Sequence, residues 1–264
     1  MKEKLLVLLA GQSNMAGRGY LTEEDIVEIP GLTALRRDFK WIPAADPFNY
    51  DRINMLGLSN AADPFEVQGI YLAGNRRCGV GPGRTFGKLL KERFPDCEVG
   101  LIPAAVGGTP VASWMPGGKD TDPKSGFMPY DDAIKMTRYA MKEGRLIAIL
   151  WHQGETDAHL QTPDYKEKLH TVIANFRRDL DAPEVPFILG GLGDFLKMDS
   201  TPEYNRMIQE VAAEGSNTGF VSAAGLKDRG DQLHFDTPGQ HELARRYWQE
   251  FCKICGLAGN YAHS

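Results

Sequence analysis

Leu5-Leu6-Val7-Leu8-Leu9-Ala10-Gly11-Gln12-Ser13-Asn14-Met15 is the stretch whose reading decides the fold. The aliphatic run Leu5 to Leu9 is too short to span a membrane and leaves no polar face, so it reads as a central parallel strand covered on both sides. Ser13 then falls just past the carboxyl end of that strand. Open α/β sheets bind ligands outside the carboxyl ends of their strands, in the crevice where strand order reverses. Gly11 permits a sharp turn, and Asn14-Met15-Ala16 can open a helix whose free N–H groups favour a developing anion beside Ser13. The same serine could simply cap that helix. What the other strand ends carry decides between the two.

With 264 residues, 42% hydrophobic and 25% charged, the chain can bury a large core, and a single domain over residues 1–264 is expected. A formal net charge of −5, without a basic patch or a Lys/Arg-rich amphipathic helix, argues against nucleic acid and membrane partners. Lys2 and Lys4 before Leu5 to Ala10 imitate a secretory signal, but the apolar stretch is short and no small-x-small cleavage site precedes Gly11. A cytoplasmic location is therefore expected. Cys78, Cys97, Cys252 and Cys255 form no disulfide framework, and Cys252-Lys253-Ile254-Cys255 falls at the end of a C-terminal helix; all four read as reduced and structural.

Strand and helix patterns alternate along the chain. After the first strand comes a loop-rich stretch, residues 20–79, punctuated by Pro30, Pro43, Pro47 and Pro64, of the kind that covers binding sites. Helices are predicted over Gly83 to Phe94, Pro129 to Lys142, from Thr162-Pro163, from Thr201-Pro202 and from Thr237-Pro238. Strands are predicted over Cys97 to Ile102, Leu146 to Trp151, Val185 to Leu189 and Gly219 to Ser222. Five strands separated by helices imply a parallel sheet covered on both faces by right-handed crossovers, in the flavodoxin-like order 2-1-3-4-5.

The strand ends carry the chemistry. The first ends in Ser13, the second in Gly107-Gly108, the third in His152-Gln153-Gly154-Glu155-Thr156-Asp157, and the fifth is followed by Asp231-Gln232-Leu233-His234. A serine hydroxyl becomes a nucleophile when a base takes its proton, and that base needs a partner to hold its tautomer. Asp231 and His234 have the spacing for this: the carboxylate can reach Nδ1 while Nε2 faces a hydroxyl from another loop. The backbone N–H of Ser13, that of Gly107 or Gly108, and the Gln153 amide could serve the oxyanion of a tetrahedral intermediate.

Gly11-Gln12-Ser13-Asn14-Met15, Pro103-Ala104-Ala105-Val106-Gly107-Gly108-Thr109, Trp151-His152-Gln153-Gly154-Glu155-Thr156-Asp157 and Asp231-Gln232-Leu233-His234-Phe235 resemble the blocks of the SGNH hydrolases. More narrowly they look like the sialate O-acetylesterase-like group, which includes the acetylxylan esterases of carbohydrate esterase family 6. The resemblance implies a three-layer α/β/α sandwich with Ser13 as nucleophile, His234 as base and Asp231 as its partner. It implies too that Gly107 and Gln153 complete the oxyanion hole, Gln153 standing where the wider superfamily has asparagine. Glu155 is a possible helper acid, and Gln12, Asn14 and Trp114 are candidate substrate contacts. The expected activity is removal of O-acetyl groups from a carbohydrate, such as an acetylated xylan oligosaccharide or sialic acid, through an acyl-enzyme and with no metal or organic cofactor.

Two other readings remain open at this point. His152, Glu155, Asp157, His159, Asp231 and His234 could supply a metal-dependent hydrolase with nitrogen and oxygen ligands. Alternatively, Trp41, Trp114 and Tyr130 could stack on pyranose faces in a non-catalytic sugar-binding protein.

Overall fold

The computed structural model describes residues 2–49, 51, 78–123 and 125–257. Its centre is strand β1 (Lys4–Gly11), whose alternate side chains separate two hydrophobic layers. Leu6, Leu8 and Ala10 join one core cluster with Tyr130, Phe176 and Ile208, whereas Leu5, Val7 and Leu9 join the other with Phe86, Leu243 and Phe251. A strand apolar on both faces is stable only with helices on either side, and the chain supplies them. Helices α1 (Ser13–Ala16), α2 (Pro82–Arg93), α3 (Pro129–Ala140), α4 (Glu155–Leu160), α5 (Tyr165–Asp179), α6 (Thr201–Glu214) and α7 (Thr237–Ile254) follow in order. With α3, α5 and α6 against one face and α2 and α7 against the other, the architecture is the expected three-layer sandwich.

The remaining strands are β2 (Gly19–Tyr20), β3 (Leu32–Leu35), β4 (Trp41–Pro43), β5 (Cys78–Val80), β6 (Glu98–Pro103), β7 (Arg145–His152), β8 (Phe187–Gly190) and β9 (Thr218–Val221). The main sheet has seven strands in the order β4-β3-β6-β1-β7-β8-β9, and β2 pairs separately with β5. Within it, β6-β1-β7-β8-β9 reproduces the predicted 2-1-3-4-5 arrangement, parallel throughout. The expected count of five strands is corrected to seven. β3 adds to β6 in parallel and β4 closes that edge antiparallel; both are short and come from the stretch read as loop. Of that stretch, residues 50 and 52–77 lie outside the described residues. A smaller correction concerns Thr162-Pro163: α5 starts at Tyr165, after Asp164 takes a left-handed conformation.

Gly11 performs the turn expected of it. At φ +123° its Hα faces the end of β7, and a Cβ there would sit 2.1 Å from the His152 carbonyl oxygen. That close approach lets the Gln12 N–H donate to the His152 carbonyl at 2.8 Å, so the chain leaves β1 directly beside the His152-Gln153-Gly154 loop. The Val106 N–H donates to the Gly11 carbonyl at 2.9 Å and brings the Gly107-Gly108 loop to the same edge. Cys97, Cys252 and Cys255 are free thiols.

Candidate active site

Four loops meet at the carboxyl edge of the sheet around a cleft of about 710 Å³, with Gln12, Ser13, Gly107, Gly108, Asp231 and His234 in its lining. Ser13 opens α1, and Gln12, the residue before it, is extended and makes no side-chain cap. The Ser13 hydroxyl instead faces His234, with Oγ 3.0 Å from Nε2. His234 Nδ1 lies 2.8 Å from Asp231 Oδ2. Ser13, His234 and Asp231 therefore form a continuous line from the end of β1 to the loop before α7.

The segment 228–236 is closed at its base by one antiparallel bridge, Asp228 to Phe235, with the Arg229 N–H donating to the His234 carbonyl at 2.9 Å, and side chains fold the rest. Asp231 Oδ1 accepts from the N–H groups of Leu233 (3.0 Å) and His234 (2.8 Å), which wraps the turn around its own carboxylate. Asp228 Oδ2 accepts from the N–H groups of Gly230 and Gln232, and Gln232 takes the left-handed φ of +57° that the turn needs. Asp236 then caps α7 by accepting from the Gly239 N–H at 2.7 Å. Arg229 completes the loop, donating from Nε to Asp231 Oδ2 at 2.7 Å and from Nη1 to the Arg18 carbonyl at 2.8 Å.

These contacts set the electrostatics. Burial alone would raise the Asp231 pKa, but the backbone N–H and ring of His234, the Arg229 guanidinium and the Leu233 N–H hold it far below the usual carboxylate range. Burial pushes the His234 imidazole below its ordinary value, against the pull of Asp231 and with Arg18 and Arg229 adding to the downward shift. An imidazole shifted this way is neutral near pH 7, with Nε2 free to take the hydroxyl proton.

The structure redistributes the other expected roles. Gln153 is fully buried, and its amide donates to Asp157 and to the Thr109 carbonyl (3.2 Å), so both of its N–H bonds are taken within the fold. Of Gln12 and Gln153, it is Gln12 that lines the cleft. Its Oε1 accepts from the N–H groups of Gly154 (3.4 Å) and Thr156 (3.3 Å) and from Gln153 Nε2 (3.4 Å), which fixes the side chain with its own NH₂ unspent among the described residues. On the second loop the Gly107 N–H donates to Asp51 Oδ2 at 2.7 Å, and Arg18 Nη2 reaches the same oxygen at 2.6 Å. Glu155 does not approach His234 directly: Oε1 accepts from Asn14 Nδ2 at 2.5 Å and stands 3.5 Å from His152 Nε2. Asn14 is buried and turned towards residues 233–235 rather than into the cleft. Trp114 is no sugar platform. It is fully buried, packs edge-on against Trp151 at 5.1 Å and donates from Nε1 to Thr109, because the second loop tightens into a 3-10 turn over Val111–Trp114.

The ligands of the metal reading are dispersed as well. Asp157 is taken by Gln153 and the Val111 N–H, His152 faces Glu155, and His234 pairs with Asp231. Among the described residues no group of three or more His, Cys, Asp or Glu side chains is arranged to hold a metal ion. Of the aromatic residues of the sugar-binding reading, Tyr130 is buried and donates to Asp179, and Trp41 lies on the far edge strand under Lys4. Arg18, Asp51 and Arg229 were not singled out from sequence. Only Arg229, two residues before Asp231, offered a signal. No helix among the described residues is long and apolar enough to cross a membrane.

A parallel α/β/α sandwich with a serine, an imidazole and a carboxylate aligned at its carboxyl edge places the chain among the hydrolases of SGNH type. The chain belongs to the family of carbohydrate esterases described as sialic acid-specific acetylesterase, whose sequence model matches residues 3–253. It is thus a carbohydrate esterase, a hydrolase acting on acetyl esters. A probable carbohydrate esterase of Arabidopsis thaliana is 29% identical over 273 residues, covering 94% of this chain and 91% of the relative. The X-ray structure of an Arabidopsis thaliana protein is similar with a TM-score of 0.72 at 25% identity, covering 94% of this chain and 98% of that one. The crystal structure of NanS shares the fold with a TM-score of 0.72 at 16% identity, covering 97% and 99% of the two chains.

Proposed function

We propose that this chain removes O-acetyl groups from a carbohydrate through an acyl-enzyme on Ser13. The observation that carries the reading is the line from Ser13 Oγ through His234 to Asp231, at 3.0 and 2.8 Å. In acylation, His234 Nε2 takes the proton of Ser13 as Oγ attacks the acetyl carbonyl carbon. The tetrahedral intermediate then collapses, the C–O bond to the sugar breaks, and His234 returns the proton to the departing sugar hydroxyl. Water, deprotonated by the same nitrogen, attacks the acetyl-serine and releases acetate. Asp231 stays ionised throughout and stabilises the imidazolium.

The oxyanion is assigned to the Ser13 N–H, the Gln12 amide and the Gly108 N–H. Gln153 has no N–H to offer, because its donors are engaged by Asp157 and Thr109, and the Gly107 N–H is held by Asp51. Gln12 lines the cleft and is fixed through its oxygen by the Gly154 and Thr156 N–H groups, and its NH₂ is the proposed donor. A donor so preorganised contributes about 3 kcal/mol to the barrier in comparable sites.

The sugar is open between acetylated xylan oligosaccharides and O-acetyl sialic acid. Acetate release from both, and from a small aryl acetate, measured for the wild type beside Ser13→Ala, tests the reading. Activity abolished by Ser13→Ala on every substrate supports it, and the ratio between the two sugars assigns specificity. Turnover that survives Ser13→Ala contradicts it.

A further inference from the structure

Asn14 follows the nucleophile directly, yet its side chain is spent on the base. Its Nδ2 donates to the Leu233 carbonyl at 3.2 Å and its Oδ1 accepts from the Phe235 N–H at 3.1 Å. The residues immediately before and after His234 are therefore both tied to the residue immediately after Ser13. The Ser13–His234 distance is closed from two sides by this bracket, which depends on the amide being presented one way round. Reversed, it would set its NH₂ against the Phe235 N–H and its oxygen against the Leu233 carbonyl.

Glu155 fixes that orientation. Its Oε1 lies 2.5 Å from Asn14 Nδ2 and accepts the second N–H of the amide, which leaves only the donor end of Asn14 compatible with the pair Glu155 and Leu233. The carboxylate is fully buried at the first position of α4, and His152 Nε2 stands 3.5 Å from the same oxygen. Among the described residues, Glu155 Oε2 and His152 Nε2 have no hydrogen-bond partner. A buried carboxylate is costly unless hydrogen bonds and charge partners offset it. Besides the nearby His152 ring, the side chain that donates to Glu155 is Asn14.

Resting on the reading of Ser13 and His234 as nucleophile and base, we propose that Asn14 and Glu155 act as one positioning unit. The Glu155 carboxylate orients the Asn14 amide, and the amide clamps residues 233 and 235 so that His234 Nε2 is held on Ser13 Oγ. Neither residue contacts the sugar. Glu155 is thus not a second acid for His234, and Asn14 is not a substrate ligand.

A double-mutant cycle with Asn14→Ala and Glu155→Gln tests the unit, assayed on a small aryl acetate well below each variant's melting temperature. Asn14→Ala is expected to lower kcat about 100-fold and Glu155→Gln about 10-fold, with KM within about twofold in both, as for groups that act on the reacting line without binding substrate. The double variant should lose about 100-fold rather than the product of the two, because Glu155 acts only through Asn14. Inactivation of Ser13 by a sulfonyl fluoride should slow in the same proportions. Should Asn14→Ala fail to fold, Asn14→Ser provides the second background.

Multiplicative losses would show that Glu155 works by its own route and would overturn the proposal. A rise in KM with kcat kept would overturn it too, by making these residues substrate contacts. The His234 ring proton signals give a readout independent of turnover. They should broaden or shift in both single variants and no further in the double, whereas unchanged signals would overturn the proposal even if Ser13 proved not to be the nucleophile.

Discussion

The two halves of the proposed reacting line are built by different physics. Ser13 is delivered by backbone: a central strand buried on both faces, a glycine pressed on the neighbouring strand's carbonyl, and an N–H to carbonyl bond from Gln12 to His152. His234 is delivered by side chains. Its loop has one isolated backbone bridge, Asp228 to Phe235, in place of a ladder, and carboxylates from Asp228 and Asp231, the Arg229 guanidinium and the Asn14 amide fold the rest of it. The nucleophile half should therefore fail through unfolding, and the base half should lose rate while the fold persists.

Ser13 itself apart, the largest effect on rate falls in the base half. Asp231→Asn removes the anion that holds the imidazole tautomer, and kcat should fall about 1,000-fold with the far-ultraviolet spectrum and melting temperature close to wild type. A comparable loss of melting temperature would break the contrast, because Asp231 would then be structural. The nucleophile half gives the opposite signature. Gly11→Ala would force a Cβ to within 2.1 Å of the His152 carbonyl at a φ of +123°, and such strain together with backbone displacement costs about 3 kcal/mol or more. Folded yield and thermal melting check it. A variant that melts like the wild type would show that β1 is not held there by close approach.

Gln12→Ala sharpens the contrast, since Gln12 is placed by backbone N–H groups and yet acts on the chemistry. Its kcat should fall about 100-fold with KM little changed. The corresponding Gln153→Ala should chiefly lower the melting temperature, by stranding Asp157 and the Thr109 carbonyl. The reverse pattern would return the oxyanion role to Gln153.

The smallest effect is in pH dependence. With the His234 pKa below its ordinary value, kcat/KM should be nearly flat through neutral pH and fall only as acid protonates the ring. Arg229→Gln removes a cation that favours the neutral ring, so the acid limb should move to higher pH, with kcat at its plateau changed about fivefold or less. An acid limb displaced to lower pH would contradict this assignment of Arg229.

Sequence showed most of what periodicity and strand-end placement encode. Leu5 to Leu9 and the later apolar runs placed the inner five strands, because buried parallel strands are apolar throughout, and their order followed from the doubly wound arrangement that alternating strands and helices imply. β3 and β4 were hidden: Leu32–Leu35 and Trp41–Pro43 are short, lie among prolines and are stable only against the edge that β6 offers. At the site, the meeting of Ser13, Asp231 and His234 was legible from spacing. Which of two glutamines keeps a free NH₂ was not, since that depends on Asp157 claiming Gln153 across one helical turn. Trp114 misled for a similar reason, as an aromatic on a glycine-rich loop looks exposed until the loop folds inward. Arg18 and Asp51 meet through residues distant in sequence, and nothing local marks either.

The central claim is a covalent acyl-enzyme on Ser13, and acid-quenched peptide mapping after rapid mixing with an aryl acetate tests it most directly. A burst of phenol close to the enzyme concentration and an acetyl group on the peptide carrying Ser13 are expected, both absent in Ser13→Ala. Turnover that persists in Ser13→Ala, with no acetylated Ser13 peptide in the wild type, would mean that water attacks the ester directly, and the line from Ser13 to Asp231 would then have been assigned the wrong work.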